Sequence, residues 1–341
     1  MYRSATAVAF TFVLLGIGAT DAFAEKVNIS GTGQFTIPAW FKNSFLDMKE
    51  DAAEATAQGK RLLVYIGQDG CPYCAALFNT NFSQKHIVDY TRKHFDAIEI
   101  NLWGDRSVKD FSGETLSEKA FGTKLKVWFT PTILFFNGDG RLLLRINGYY
   151  APRQFFAALR YVAERREKSE PFQNYLARVA SQPATGGLYT ENFYEKAPFD
   201  LRMSVPAKPL AVFFEQADCA GCEDLHRIVF RQPATLEQLK RLRVVQIDRW
   251  SNTPVVTPNG ARVTARAWAD QLNVSYVPTA VFFDRGKEVI RIEAMLKSFH
   301  VQSVMDYVAS GAYQRQPSFQ RFIRSRADRL RQGGVPVDLW R

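Results

Sequence analysis

Two apolar patterns alternate along the chain: short unbroken runs, and longer stretches whose apolar residues recur every three or four positions. The run at 61–66, with Leu62, Leu63, Val64, Tyr65 and Ile66, reads as a buried strand, and Phe95–Asn101 alternates as a second. Runs at 132–136 and 141–146 flank Asn137-Gly138-Asp139-Gly140, a strong hairpin signal. Helical spacing fills the gaps. Residues 38–59 carry a stripe of Trp40, Phe41, Phe45 and Met48 before Gly59, a C-terminal stop. Helices are also predicted over 75–93 and 117–125, with a polar loop at 102–113. Another opens at Pro152 and presents Phe155, Phe156, Leu159, Val162 and Ala163 on one face.

The same order then recurs. A shift of 147 residues carries Asn101 onto Asp248, Trp103 onto Trp250, Gly113 onto Gly260 and Pro131-Thr132 onto Pro278-Thr279. Two copies, each longer than a hundred residues, indicate a duplicated domain and not a solenoid. The fold class is therefore α/β, in two units at 38–168 and 209–314. Residues 169–208 read as a linker with a helical piece at 172–179, packing as the second unit's counterpart of the helix at 38–59.

The ends modify this picture. Residues 1–24 combine Arg3, an apolar run at 5–18 and Ala22-Phe23-Ala24, the pattern of a cleaved secretory signal. The run is shorter than the ~20 residues of a spanning helix. The short basic start suits a bacterium, so export implies the periplasm, and residues 25–37 form an arm or loop. Net charge is +10. Seven arginines fall after residue 310 (Arg315, Arg321, Arg324, Arg326, Arg329, Arg331 and Arg341), above an apolar stripe of Phe319, Phe322, Ile323, Ala327 and Leu330. This segment, 315–341, reads as a basic amphipathic helix docked on the second unit with a solvated charged face. Contact with an anionic membrane surface is the alternative. An exported chain without a recognition motif gives no reason to expect nucleic acid.

The four cysteines occur only as Cys71-Pro72-Tyr73-Cys74 and Cys219-Ala220-Gly221-Cys222, each between a predicted strand and a helix. A thiol at a helix start meets unsatisfied N–H groups that favour its thiolate. A second thiol one turn further in can attack the mixed disulfide. Cys71 and Cys219 are thus the candidate nucleophiles, with Cys74 and Cys222 resolving. A structural disulfide closing so short a loop constrains the unfolded chain little. A shared zinc site would need the two pairs brought together, whereas zinc ribbons usually space them by ~15–20 residues. No metal or cofactor is expected; the cysteines are the redox centre. Asp218 abuts Cys219, and a neighbouring carboxylate disfavours a thiolate, so Cys219 is expected to alkylate more slowly than Cys71. His226, four residues after Cys222, is either an edge-of-core histidine or a proton acceptor.

Strand, Cys-x-x-Cys, helix and the later Thr130-Pro131-Thr132 and Val277-Pro278-Thr279 resemble the thioredoxin fold, once per unit. The resemblance implies that Pro131 and Pro278 are cis and face the cysteines. It also implies that Thr130 and Val277 offer backbone groups to an extended substrate segment. The polar stretch around Trp103 and Trp250 is similar to the SoxW-type thioredoxin-related proteins exported by bacteria. That likeness implies reduction of protein or small-molecule disulfides, with electrons supplied by a membrane thiol transporter. Thioredoxin's buried acid, six positions before the first cysteine, is replaced by Tyr65 and Phe213, leaving water or Glu215 as stand-ins. The competing expectation is a binding or chaperone module whose proline grooves hold partner segments with little redox turnover.

Overall fold

The computed structural model describes residues 29–180, 187–203, 208–217, 219–294 and 296–340. The predicted signal segment and Asp218 lie outside them. Each half contains a four-stranded mixed sheet. In the first, the strand order is Phe95–Asn101, Arg61–Gly67, Thr132–Phe136, Leu142–Asn147. In the second it is Arg243–Asp248, Leu210–Glu215, Thr279–Asp284, Lys287–Ile292. The first pair of each sheet is parallel and the other pairs are antiparallel. In the first sheet the unbroken apolar runs, Arg61–Gly67 and Thr132–Phe136, are the central strands, covered on both faces, while Phe95–Asn101 and Leu142–Asn147 lie at the edges and are buried in alternation. Both hairpins shift register at the same place, between Phe135 and Phe136 and between Phe282 and Phe283.

Several helices differ from the sequence pattern. The helix expected over 38–59 is only Met48–Ala57, because Asp47 accepts from the Lys49 and Glu50 amides and caps it there. Leu46 just before the cap turns the chain with a φ of 63°. Trp40 and Phe41 precede the helix, and Phe45 is fully exposed instead of joining its apolar face. The stretch 75–93 is not one helix. Pro72–Ala76 runs into a π-helical turn, Leu77–Asn81; Gln84 is then extended, and a new helix spans Lys85–His94. The polar loop at 102–113 contains a short strand, Ser107–Lys109, paired with Thr115–Ser117.

The linker is divided between the two halves. Helix Phe172–Ala180 packs on the first unit's Pro152–Ala163, through Tyr161 against Phe172 and Tyr175, and not on the second unit. The following segment does join the second unit: the Glu195 amide donates to the Val244 carbonyl, as Lys42 does to Ala97. Tyr194 therefore matches Phe41. The second unit has no counterpart of helix Met48–Ala57 among its described residues; strand Phe199–Asp200 pairs with Pro254–Val256 there instead.

One apolar core runs through both halves, and each half has a second of its own. Matching residues meet at their junction: Asn147 Nδ2 donates to Glu293 Oε2 at 2.8 Å, each one residue past an isoleucine that ends the strand core. A Cβ on Gly148 would lie 2.6 Å from that of its match, Ala294. Matching residues touching each other give the contact a local two-fold character. The C-terminal helix, Phe319–Gln332, seals both halves together. Phe319 packs on Phe129 of the first and Tyr307 of the second. Its basic face is not wholly solvated, since Arg326 is buried against Ser303 and Asp306. Finally, Ile29–Ser30 pairs in parallel with Val337–Asp338, tying the N-terminal arm to the C-terminal tail. No helix among the described residues is long and apolar enough to cross a membrane.

Candidate active sites

Each cysteine pair closes a disulfide where a central strand turns into a short helix. Cys71 and Cys219 are the N-cap residues, and their Sγ atoms accept from the Cys74 and Cys222 amides at 3.0 Å. That amide would stabilise the thiolate of the reduced form. All four cysteines are buried, with Cys71 4% exposed, Cys219 8%, and the resolving cysteines deeper still.

Thr130-Pro131 and Val277-Pro278 are both cis peptides. The structure brings the first pair of predicted residues directly to the sulfur. Cys71 Sγ lies 3.5 Å from the Thr130 carbonyl and accepts the Thr130 hydroxyl at 3.3 Å. In the second unit, Pro278 and the Val277 carbonyl lie beside Gly221 of the motif, where a Cβ would come within 3.0 Å of Pro278 Cδ. A third cis bond, Ala197-Pro198, had no sequence signal.

The residue types around the motifs differ. Tyr73, inside the first motif, reaches across the junction: its hydroxyl accepts from the Lys297 amide at 2.8 Å and meets His300 Nδ1 at 3.3 Å. Burial pushes the His300 imidazole down to about 4, so it is neutral at pH 7, and its tautomer sets which of the two groups donates. The matching Gly221 offers no such handle.

Beneath the second motif lies a buried polar chain that the sequence only hinted at. His226 is fully buried, with Nε2 3.0 Å from Glu215 and Nδ1 3.0 Å from Glu191. Glu215, also fully buried, accepts further from Gln246 and Tyr194. Arg231 closes the outer end on Glu191 at 2.7 Å. Burial opposes charge on the imidazole, but the bonds to Glu215 and then Glu191 outweigh it and raise its pKa. His226 is therefore no ordinary edge-of-core histidine, and Glu215 is a buried acid at a position four before Cys219.

Sequence reasoning also missed Gln68 and Gln216. Their Oε1 atoms accept from Trp103 and Trp250 Nε1 at 2.6 and 3.0 Å, fixing each tryptophan beside its motif. The signal was present, since both glutamines stand three residues before the first cysteine.

The thioredoxin-like domain model matches residues 48–163 and again 204–309, more than half of the chain. The chain belongs to the thioredoxin-like domain family. Among solved structures it is similar to a thioredoxin-fold protein from Helicobacter pylori, at 22% identity over 41% of this chain and 87% of that one, with a TM-score of 0.34. DsbH oxidoreductase matches at 16% identity over 39% of this chain and 92% of its own, with a TM-score of 0.26. A disulphide isomerase from Xylella fastidiosa matches at 20% identity over 28% and 68%, with a TM-score of 0.22. No curated protein matches the sequence. Family membership, two buried disulfides and their cis-prolines together support redox-type activity; among the described residues no cluster of histidine, cysteine or carboxylate side chains could hold a metal ion.

Proposed function

We propose that the protein is a periplasmic thiol–disulfide oxidoreductase that works in the reducing direction. The observation that carries the reading is the contact between Cys71 Sγ and Thr130 at the cis-proline. It places a nucleophilic sulfur beside the backbone that would hold a substrate disulfide. In the reduced protein the Cys71 thiolate attacks one sulfur of the substrate. The substrate S–S bond breaks, one thiolate leaves and takes a proton, and a mixed disulfide remains. Cys74 then loses its proton and attacks Cys71 Sγ, releasing the second substrate thiol and re-forming the Cys71–Cys74 bond. The pair gives two electrons and the substrate accepts two. Cys219 and Cys222 repeat the cycle as a second centre. The membrane thiol transporter implied by the SoxW-type resemblance would restore the dithiols, and the signal-like sequence pattern at 1–24 supports the periplasm.

The test is turnover of hydroxyethyl disulfide with dithiothreitol as reductant, after subtracting the uncatalysed rate. Wild type, Cys71→Ser, Cys219→Ser and the double variant are compared. The reading expects catalysis in wild type and none in the double variant. Equal rates in all four would contradict it and favour a binding module.

A further inference from the structure

The first disulfide is nearly buried and is reached only through a half-open recess. It lies on the floor of a cavity of about 290 Å3, just below the range of about 300–1,000 Å3 typical of small-molecule sites. The opposite wall comes from the other end of the chain: Phe299 and His300 of helix Ser298–Ala309, and Gln320, Ile323 and Arg324 of the C-terminal helix.

Segments of this chain are bonded on both sides of the motif. On the cis-proline side, Gln320 Nε2 donates to the Trp128 carbonyl at 2.7 Å, and Gln320 Oε1 accepts from Gln68 at 3.2 Å. On the other side, the Gly33 amide donates to the Gly70 carbonyl at 3.2 Å. The arm there lies so close that a Cβ on Gly33 would come within 2.7 Å of the Cys71 carbonyl oxygen. A folded protein therefore meets the C-terminal helix and the arm before it meets Cys71.

The cavity interior suits a small amphiphile. Trp103 is held edge-on by Gln68, with the Arg324 guanidinium 5.1 Å from its ring. Apolar atoms of Phe299 and Ile323 face them.

We infer that the first centre is a site for low-molecular-weight disulfides, and that the C-terminal helix excludes protein disulfides from it. The inference rests on the oxidoreductase reading above and adds the substrate class of that site. The exchange is the one already written, with the small disulfide as oxidant and the Cys71/Cys74 dithiol as donor of two electrons.

The test uses the full chain carrying Cys219→Ser and Cys222→Ser, reduced with dithiothreitol and freed of it. Oxidation of the remaining dithiol by hydroxyethyl disulfide and by insulin is followed by alkylating samples and weighing the protein, so that only its own thiols are counted. With the helix seated for all but ~1% of molecules, insulin should react about 100-fold more slowly than hydroxyethyl disulfide, per disulfide. Phe319→Ala with Phe322→Ala loosens the helix while leaving every cavity-lining side chain unsubstituted. It should raise the insulin rate about tenfold and leave hydroxyethyl disulfide within about twofold. Ile323→Trp, which narrows the cavity, should slow hydroxyethyl disulfide about tenfold, a result that needs no loosened helix. Equal rates for the two probes in the chain with its helix unaltered, or an insulin rate unmoved by loosening together with a hydroxyethyl disulfide rate unmoved by Ile323→Trp, would overturn the inference and leave the oxidoreductase reading standing. If neither probe oxidises any variant, the oxidoreductase reading falls, and the inference with it.

Discussion

The two units share a backbone but support their disulfides with opposite materials. Under the first, Phe41, Tyr65, Phe78 and Phe82 pack edge-to-face with centroids 5.0–6.3 Å apart. Under the second, the matching places hold Tyr194, Phe213, His226 and Phe230, and His226 sits between two carboxylates. One exchange accounts for much of the difference. Gly67 and Glu215 both stand four residues before the first cysteine. In the first unit a Cβ at Gly67 would lie 1.9 Å from Tyr65 Oη, so the Tyr65 phenol fills the space where a residue-67 side chain would start. In the second, Phe213 has no hydroxyl and Glu215 carries a carboxylate inward instead. Burial holds the Tyr65 phenol far above its ordinary pKa, and its oxygen has no hydrogen-bond partner among the described residues. The first unit thus keeps a neutral, apolar support, and the second keeps a charged one balanced by its own partners.

The largest expected effect breaks that charged support. Glu215→Ala leaves a buried imidazole facing one carboxylate fewer and should cost about 3–5 kcal/mol in urea denaturation. A loss below about 1 kcal/mol would show that Glu215 is solvated.

A double-mutant cycle comes next. Glu215 and His226 should couple by about 2 kcal/mol, near the upper part of the range for bonded neighbours, whereas Phe41 and Phe78 should couple by about 1 kcal/mol. Equal couplings would erase the distinction.

The third test is pH. The folded-state pKa of His226 lies above its ordinary 6.5, so its contribution is complete below about pH 6.5 and is lost as pH rises through the raised value. Glu191, Glu215, Tyr194 and the stacked Tyr189 are the titratable groups facing it, with Arg231 behind Glu191. His94 and His300 are shifted the other way, both lowered by burial, so they stabilise with rising pH and must be subtracted. Wild type should therefore lose stability above pH 6.5 relative to a Glu215→Gln, His226→Gln variant. A difference that stays flat from pH 6 to 9 would contradict the raised pKa.

The smallest effect is a control on what the units share. Ser117 and Thr264 cap matching helices by accepting from the Ala120 and Ala267 amides. Replacing either with Ala should cost about 1 kcal/mol, alike in both.

Much of this was legible in the sequence. Central strands declare themselves because burial on both faces demands apolar residues at every position, as in 62–66 and 132–136. The cysteine pairs recur at a shift of 148 and their prolines at 147, and the structure brings Cys71 and Thr130 together as the thioredoxin resemblance implied. What stayed hidden depended on partners far along the chain. Phe45 has the spacing of a helical stripe, but the Asp47 cap starts the helix after it. Tyr73 looks like a filler of the motif until Lys297 and His300 arrive from the other unit. His226 and Glu191 are separated by 35 positions, so no local pattern could pair them. The C-terminal helix showed its amphipathic stripe, yet nothing in that stripe told that its apolar side would grip Phe129 of the first unit.

The central claim is that each cysteine pair is a working two-electron centre in the folded chain. The most direct measurement is a redox titration of the native protein in dithiothreitol buffers, counting thiols by alkylation and mass. The account predicts two reversible two-electron steps, one lost when Cys71 and Cys74 become Ser and the other when Cys219 and Cys222 do. Disulfides that resist excess dithiothreitol until the protein is unfolded would contradict it.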